Sequence, residues 1–178
     1  MSQGPVTEGR TLLDEPRFVV AVGADNAGVD LKNALKRRLE RNPRVEVVDF
    51  GVLDATDPLA YPHIGLKVAE AVARGEARRG LLVCGTGIGM AIAANKVPGV
   101  RATVAHDSYS VERSVLSNDC QVLTLGARVI GPDLAARLVD EWLTYEFDPS
   151  SASAAKVEVI NEYEQDFTTG PFVPATER

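Results

Sequence analysis

A doubly wound α/β domain, one five-stranded parallel sheet with helices on both faces, is the fold this sequence predicts. Two observations carry the prediction. Short apolar runs rich in valine and leucine alternate five times with helix-length segments that are apolar on one side only. The runs, GLLVCG above all, are continuously apolar, as in strands covered on both faces. No internal repeat, low-complexity tract or linker interrupts this order, and 178 residues suit one domain with its own core.

Residues 1–16 are polar, contain two prolines and lack a periodic apolar face, so they are expected as a flexible arm before a folded part at 17–165. FVVAVG (18–23) is the first strand. In VDLKNALKRRLERN, Val29, Leu31, Leu35 and Leu39 mark the buried side of a helix. VEVVDF (45–50) is the second strand, and Tyr61 to Arg74 is a helix with Ile64, Leu66, Val68, Ala71 and Val72 as its apolar positions. GLLVCG (80–85) is the third strand. A short helix through MAIAANK leads to VRATVA (100–105), the fourth. SVERSVLSN is helical and QVLTLGA (121–127) is the fifth strand. A helix from about Pro132 to Tyr145 follows, with proline near its start, where a missing N–H is no loss. A last helical stretch, about 152–165, precedes a loose tail at 166–178.

Composition narrows the function. The net charge is −6 and the pI about 5.0, with basic residues interspersed among acids, which argues against a nucleic-acid-binding stripe. No apolar run approaches the roughly 18 residues of a membrane span. The N-terminus lacks the apolar core of a secretory signal. Cys84 and Cys120 fit neither a disulfide framework nor a paired-cysteine metal site. The expectation is a cytoplasmic protein with no metal and no cofactor.

In open parallel sheets ligands bind beyond the carboxyl ends of the strands, where the strand order reverses. That rule selects four loops: Gly23–Gly28, Cys84–Gly89, His106–Tyr109 and Gly126–Arg128. The most informative is VCGTGIGMAIAANK. Its three glycines let the backbone turn its amides inward, and the helix it opens favours an anion or an oxyanion. Cys84 stands beside those amides at the end of a buried strand, where a thiolate forms more readily than in an ordinary core. The Rossmann fingerprint differs: it needs Gly-x-Gly-x-x-Gly, whereas here Met90 takes the third position and the loop follows the third strand. Asp107, at a ribose-binding distance downstream, keeps that alternative open. A P-loop is excluded, since Lys96 does not follow the glycines in the required form.

The segments VGADNAG, YPH (61–63), CGTGIGMAIAANKVPGVRA (84–102) and SNDCQVLTLGARVIGP (117–132) together resemble the ribose-5-phosphate isomerase B and galactose-6-phosphate isomerase family, from about Phe18 to Glu164. The resemblance implies a dimer whose sites are built from both subunits, and metal-free proton transfer through a cis-enediolate. Whether the dimer pairs again into a tetramer stays open. It further implies that Cys84 is the base and that Thr86 moves protons between the sugar oxygens. The backbone amides of Gly87, Ile88, Gly89 and Met90 would hold the enediolate. Asp25 would bind sugar hydroxyls, with Asn26, Gly85, Asn95, Ser117 and Asn118 in the substrate set; His106 matches no family histidine and joins that set from its place at the functional end of the fourth strand, facing the substrate or the partner subunit. Arg128 and Lys156 would meet the phosphate. From the residues alone, Asp25 also reads as a helix cap, Arg128 as a surface or dimer salt-bridge residue and His63 as a cap for the helix it opens.

The departures from the family are as telling. Asn26 and Ser117 stand where its ribose-phosphate members carry histidine, and the second of those histidines opens the sugar ring. A furanose must open before its carbonyl reacts, which needs a proton shuttle near neutral pH. A four-carbon sugar with phosphate on O4 has no hydroxyl to close a five-membered ring. AHDSYSVERSVLSND resembles the branch that interconverts D-erythrulose 4-phosphate and D-erythrose 4-phosphate in tetritol breakdown. Ribose 5-phosphate and hexose 6-phosphates are the alternative substrates. From other classes, a non-catalytic sugar-phosphate or nucleotide-binding subunit is disfavoured by the presence of both Cys84 and Thr86. A thiol redox protein is disfavoured because no resolving cysteine is near.

Overall fold

The structure, a computed structural model, describes residues 17–169; the arm expected at 1–16 and the tail from 170 onward lie outside the described residues. Its sheet has the order β2-β1-β3-β5-β4 and is parallel throughout. The strands are β1 (Phe18–Ala24), β2 (Val45–Asp49), β3 (Arg79–Cys84), β4 (Ala102–Val104) and β5 (Val122–Gly126). The helices are α1 (Val29–Leu39), α2 (Tyr61–Ala73), α3 (Ile88–Ala94), α4 (Ser108–Leu116), α5 (Pro132–Thr144) and α6 (Ala154–Thr169).

Right-handed crossovers dictate which face each helix covers. From β1 to β2 and from β4 to β5 the chain steps one way across the sheet, which puts α1 and α4 on one face. From β2 to β3 and from β3 to β4 it steps the other way, which puts α2 and α3 on the opposite face. Two cores result. Leu31, Leu35, Leu39, Val111, Val115, Leu138 and Trp142 pack with Val20, Val22, Leu81, Val83, Leu123 and Leu125 on one side. Ile64, Val68, Met90 and Ala94 pack with Ala21, Leu82 and Cys84 on the other. Strand alternation therefore turns the Cys84 side chain toward α2 and α3. The order reverses between β1 and β3, and the loops after these strands emerge side by side.

Several element ends differ from the sequence expectation. β4 is three residues rather than six because it is an edge strand, paired only with β5 over 102–104. Its open edge is covered by Asn95, whose Nδ2 donates to the Ala102 carbonyl (2.8 Å) while its Oδ1 accepts from the Ala102 amide (2.7 Å). α3 starts at Ile88, directly after Gly87 at φ 80°, and not at Met90. α4 starts at Ser108 because the Asp107 carboxylate caps it, accepting from Ser110 N at 2.8 Å. α6 runs past 165 to Thr169, since no glycine or proline stops it before Gly170 and Pro171.

Two contacts fix α1 beside the future site. A Cβ on Gly28 would lie 2.4 Å from the Val83 carbonyl oxygen, so only glycine lets α1 start against β3. One turn on, the buried Lys32 ammonium reaches Asp49 at 2.8 Å at the end of β2.

Candidate active site

The loop after β3 folds back on its own side chains. Gly87 N donates to Cys84 Sγ at 3.1 Å, and Ile88 N donates to Thr86 Oγ1 at 3.3 Å. A thiolate at Cys84 would thus sit on an amide donor already in place. Two of the four amides expected to hold an enediolate are engaged by the Cys84 and Thr86 side chains. Those of Gly89 and Met90 stand in the first turn of α3, where the helix supplies no acceptor. The Met90 side chain is fully buried in the core, so it offers the site only its backbone.

The end of β5 braces this loop. Ala127 N donates to the Cys84 carbonyl (2.8 Å) and Arg128 N to the Gly85 carbonyl (3.0 Å). The buried Thr124 hydroxyl donates to the Gly87 carbonyl at 2.9 Å. The Arg128 side chain then runs alongside Gly85, so that a Cβ there would lie 3.5 Å from its Cδ. No acceptor among the described residues holds the Arg128 guanidinium. From β1, Asp25 folds one carboxylate oxygen onto its own loop, accepting from Ala27 N and Gly28 N at 3.1 Å each. Asp25 is therefore both a turn cap and a wall of the site.

Asp25, Asn26, Ala27, Cys84, Gly85, Thr86, Ile88, Gly89, Ile92 and Arg128 line one open cleft of about 580 Å³, together with Tyr61. Tyr61 is the residue the sequence reading passed over. It opens α2, and its ring lies where a Cβ on Gly89 would be, 2.6 Å away. The Tyr-Pro-His motif was the available signal. His63 does not cap α2, whose N-cap is Ala60 with no side-chain cap bond and which has a proline in its first turn.

The remaining candidates lie elsewhere. Asn95 is committed to Ala102, as described, and does not face the cleft. His106 sits just beyond β4, and its Nε2 accepts from Gly126 N at 2.9 Å. Ser117 and Asn118 end α4 at the amino edge of the sheet, opposite Cys84. At about 3.3 Å per residue, the length of β5 alone holds them more than roughly 13 Å from the cleft. There Arg101 gathers Asn118, Asp119 and α6. Its Nε donates to the Asn118 and Asp119 carbonyls (3.0 Å each) and its NH1 to Asn161 Oδ1 (3.0 Å) on α6, the helix that carries Lys156. The chain thus presents two separate clusters, the cleft and an amino-edge group of Ser117, Asn118 and α6. Cys120 belongs to the amino edge too, where burial pushes its thiol up to about 11. It is no partner for Cys84. Among the described residues, no group of three or more His, Cys, Asp or Glu is placed to hold a metal ion, and no helix is long and apolar enough to cross a membrane.

The chain is similar to several known proteins. A family model described as ribose/galactose isomerase matches residues 20–160. A D-erythrulose-4-phosphate isomerase 2 of Mycolicibacterium smegmatis is 58% identical over 82% of this chain and 96% of its own length. A ribose-5-P isomerase B of Listeria innocua is 47% identical over 82% of this chain and 97% of its own. Among solved structures, ribose-5-phosphate isomerase B of Clostridium thermocellum superposes with a TM-score of 0.79 at 44% identity, covering 84% of this chain and 99% of that one.

Proposed function

This chain belongs to the ribose/galactose isomerase family, and from that premise we propose that it interconverts D-erythrulose 4-phosphate and D-erythrose 4-phosphate. The observation that carries the chemistry is the pairing of Cys84 and Thr86 at the mouth of the cleft, each already hydrogen-bonded by an amide of its own loop. The Cys84 thiolate takes the proton from the carbon beside the carbonyl and returns it to the neighbouring carbon. The Thr86 hydroxyl carries the second proton between the two oxygens. Negative charge on the cis-enediolate meets the Gly89 and Met90 amides, donors fixed before the charge develops. Asp25 holds sugar hydroxyls through its second carboxylate oxygen, and the unpaired Arg128 guanidinium meets the phosphate. No step needs a metal, because proton transfer and amide donors supply what a Lewis acid would.

The substrate size rests on Asn26 and Ser117. Neither can open a furanose ring, and the tetrose phosphate has no ring to open. The smegmatis relative, named for D-erythrulose 4-phosphate, supports the same choice. Each working site is completed by a second copy of the chain, whose amino-edge Ser117, Asn118 and Lys156 reach over the cleft. The separation of the two clusters within one chain favours this homodimer. A charged sugar phosphate does not cross a membrane unaided, so the enzyme works where its substrate is made, in the cytoplasm.

The decisive measurement is kcat/KM for D-erythrulose 4-phosphate against ribose 5-phosphate. The tetrose is expected to win by at least about a hundredfold, because the pentose must be captured from a small open-chain fraction without a proton shuttle. Ser117→His should raise ribose 5-phosphate turnover and leave the tetrose reaction little changed. A higher kcat/KM for ribose 5-phosphate in the unmodified enzyme overturns the substrate assignment.

A further inference from the structure

Beyond that reading, though resting on it for the role of Thr86, we propose that His106 is a positioning residue: its neutral ring accepts the Gly126 N–H, holds the end of β5 against Thr86, and so fixes the hydroxyl that moves the proton. β4 pairs with β5 only as far as Val104 and Thr124, so the Gly126 amide, two residues further along β5, has no backbone acceptor on that side. Gly126 is buried, and a buried amide without an acceptor is costly. His106, two residues past the end of β4, replaces the missing carbonyl with Nε2 at 2.9 Å.

What this bond holds in place is the catalytic loop. Gly126 backbone lies so close to Thr86 that a Cβ at 126 would be 2.7 Å from the Thr86 Cα. The two residues that follow donate to the Cys84 and Gly85 carbonyls. A displacement of Gly126 would therefore be passed to the packed Thr86 backbone and move its hydroxyl relative to the sugar oxygens. His106 does not line the cleft, so it acts through Gly126 and not on the substrate.

An acceptor ring must be neutral, with its proton on Nδ1. Burial holds the His106 ring below the ordinary histidine value, against the opposing pull of the Asp107 carboxylate on its own loop. From β5 it is faced by the Gly126 amide. The folded value being depressed, the bond is complete above the ordinary histidine value of about 6.5 and is lost as pH falls through the folded one. The proton that then occupies Nε2 faces the Gly126 proton.

The test compares two variants with the unmodified full chain, using D-erythrulose 4-phosphate as the probe. His106→Leu fills the space without an acceptor and should lower kcat by about ten- to a hundredfold, with KM changed less than about twofold. His106→Gln offers Oε1 near the position of Nε2 and should keep kcat within about threefold while removing the acid limb that His106 gives to kcat. Equal loss in both variants assigns the ring itself to the substrate and overturns the proposal, as does full activity in both. Should D-erythrulose 4-phosphate fail as a substrate, the same comparison on ribose 5-phosphate decides the role of His106 apart from the choice of sugar. A measurement without sugar or variant activity stands beside it. The chain has two histidines, so 15N NMR of labelled protein at neutral pH reads the His106 ring directly. An unprotonated Nε2 coupled across the bond to the Gly126 amide is expected; a protonated Nε2 overturns the proposal even if His106→Leu does not fold.

Discussion

Cys84 and Thr86 stand two positions apart, yet the loop holds them differently. The thiol sits at the end of a rigid strand and takes its donor from Gly87, whereas the hydroxyl is exposed and depends on the braces from β5. Cys84→Ser should accordingly leave the fold and substrate affinity intact, because serine nearly matches the volume. Turnover should drop by about two to four orders of magnitude, the usual effect of removing a positioned acid–base group. Initial-rate kinetics with circular dichroism as a fold control measures this, and a rate within threefold of the unmodified enzyme removes Cys84 from the role of base. At this scale the sequence was legible wherever the lining of the cleft follows the backbone. Cys84, Thr86, Gly85 and Asp25 sit on loops whose glycines announce them. Tyr61 was not, because it reaches the cleft across space from α2, and no spacing along the chain predicts that its ring lies over Gly89.

Elements are joined around the site by a few specific contacts, of which Lys32–Asp49 is the most consequential. Lys32 is buried at 3% exposure and Asp49 keeps 21%, with Lys36 3.3 Å from the same carboxylate. Burial pushes the Asp49 carboxyl up, but the Lys32 hydrogen bond, the Gly51 amide and the lysine charges outweigh it and leave it below the ordinary value. Asp49→Asn strands the buried ammonium and should cost roughly 2–4 kcal/mol, somewhat less than a fully dry pair because Asp49 is partly wet. A depressed carboxyl stabilises the fold at pH values above its unfolded pKa of about 3.9 and stops doing so as pH falls through the folded value. Urea denaturation should therefore find the two proteins well separated at neutral pH and converging in acid. The elements themselves were readable from apolar runs and helical periodicity, down to the strand that carries Cys84. Their ends were not, because ends are set by partners. β4 stops where its pairing with β5 stops, Asn95 turns to the Ala102 backbone and away from the ligand, and α4 begins where Asp107 caps it.

For the whole molecule, the separation of the cleft from the amino-edge cluster is the feature with most consequence for assembly. On the two-subunit reading, Cys84→Ser and Asn118→Ala inactivate different halves of a shared site. Mixing the two inactive subunits after unfolding and refolding them together should restore about a quarter of the unmodified activity, since half of randomly paired dimers are mixed and each has one intact site. Activity that stays at the level of the separate variants means each chain works alone. The doubly wound architecture followed from local pattern, but the strand order did not, since nothing in the apolar runs says that β5 lies between β3 and β4.

That insertion also decides when the enzyme comes into being. Gly80 pairs with Val122, and β4 has no partner except β5. A nascent chain that has left the ribosome as far as Val104 therefore carries a bare strand edge on β3 and a fourth strand with nothing to bind. Its Cys84–Gly89 loop still lacks the struts from Thr124, Ala127 and Arg128. Long-range pairing of this kind forms late, after the loop between the strands has been closed. The Cys84–Gly89 loop thus gains these struts only from the strand that inserts between β3 and β4.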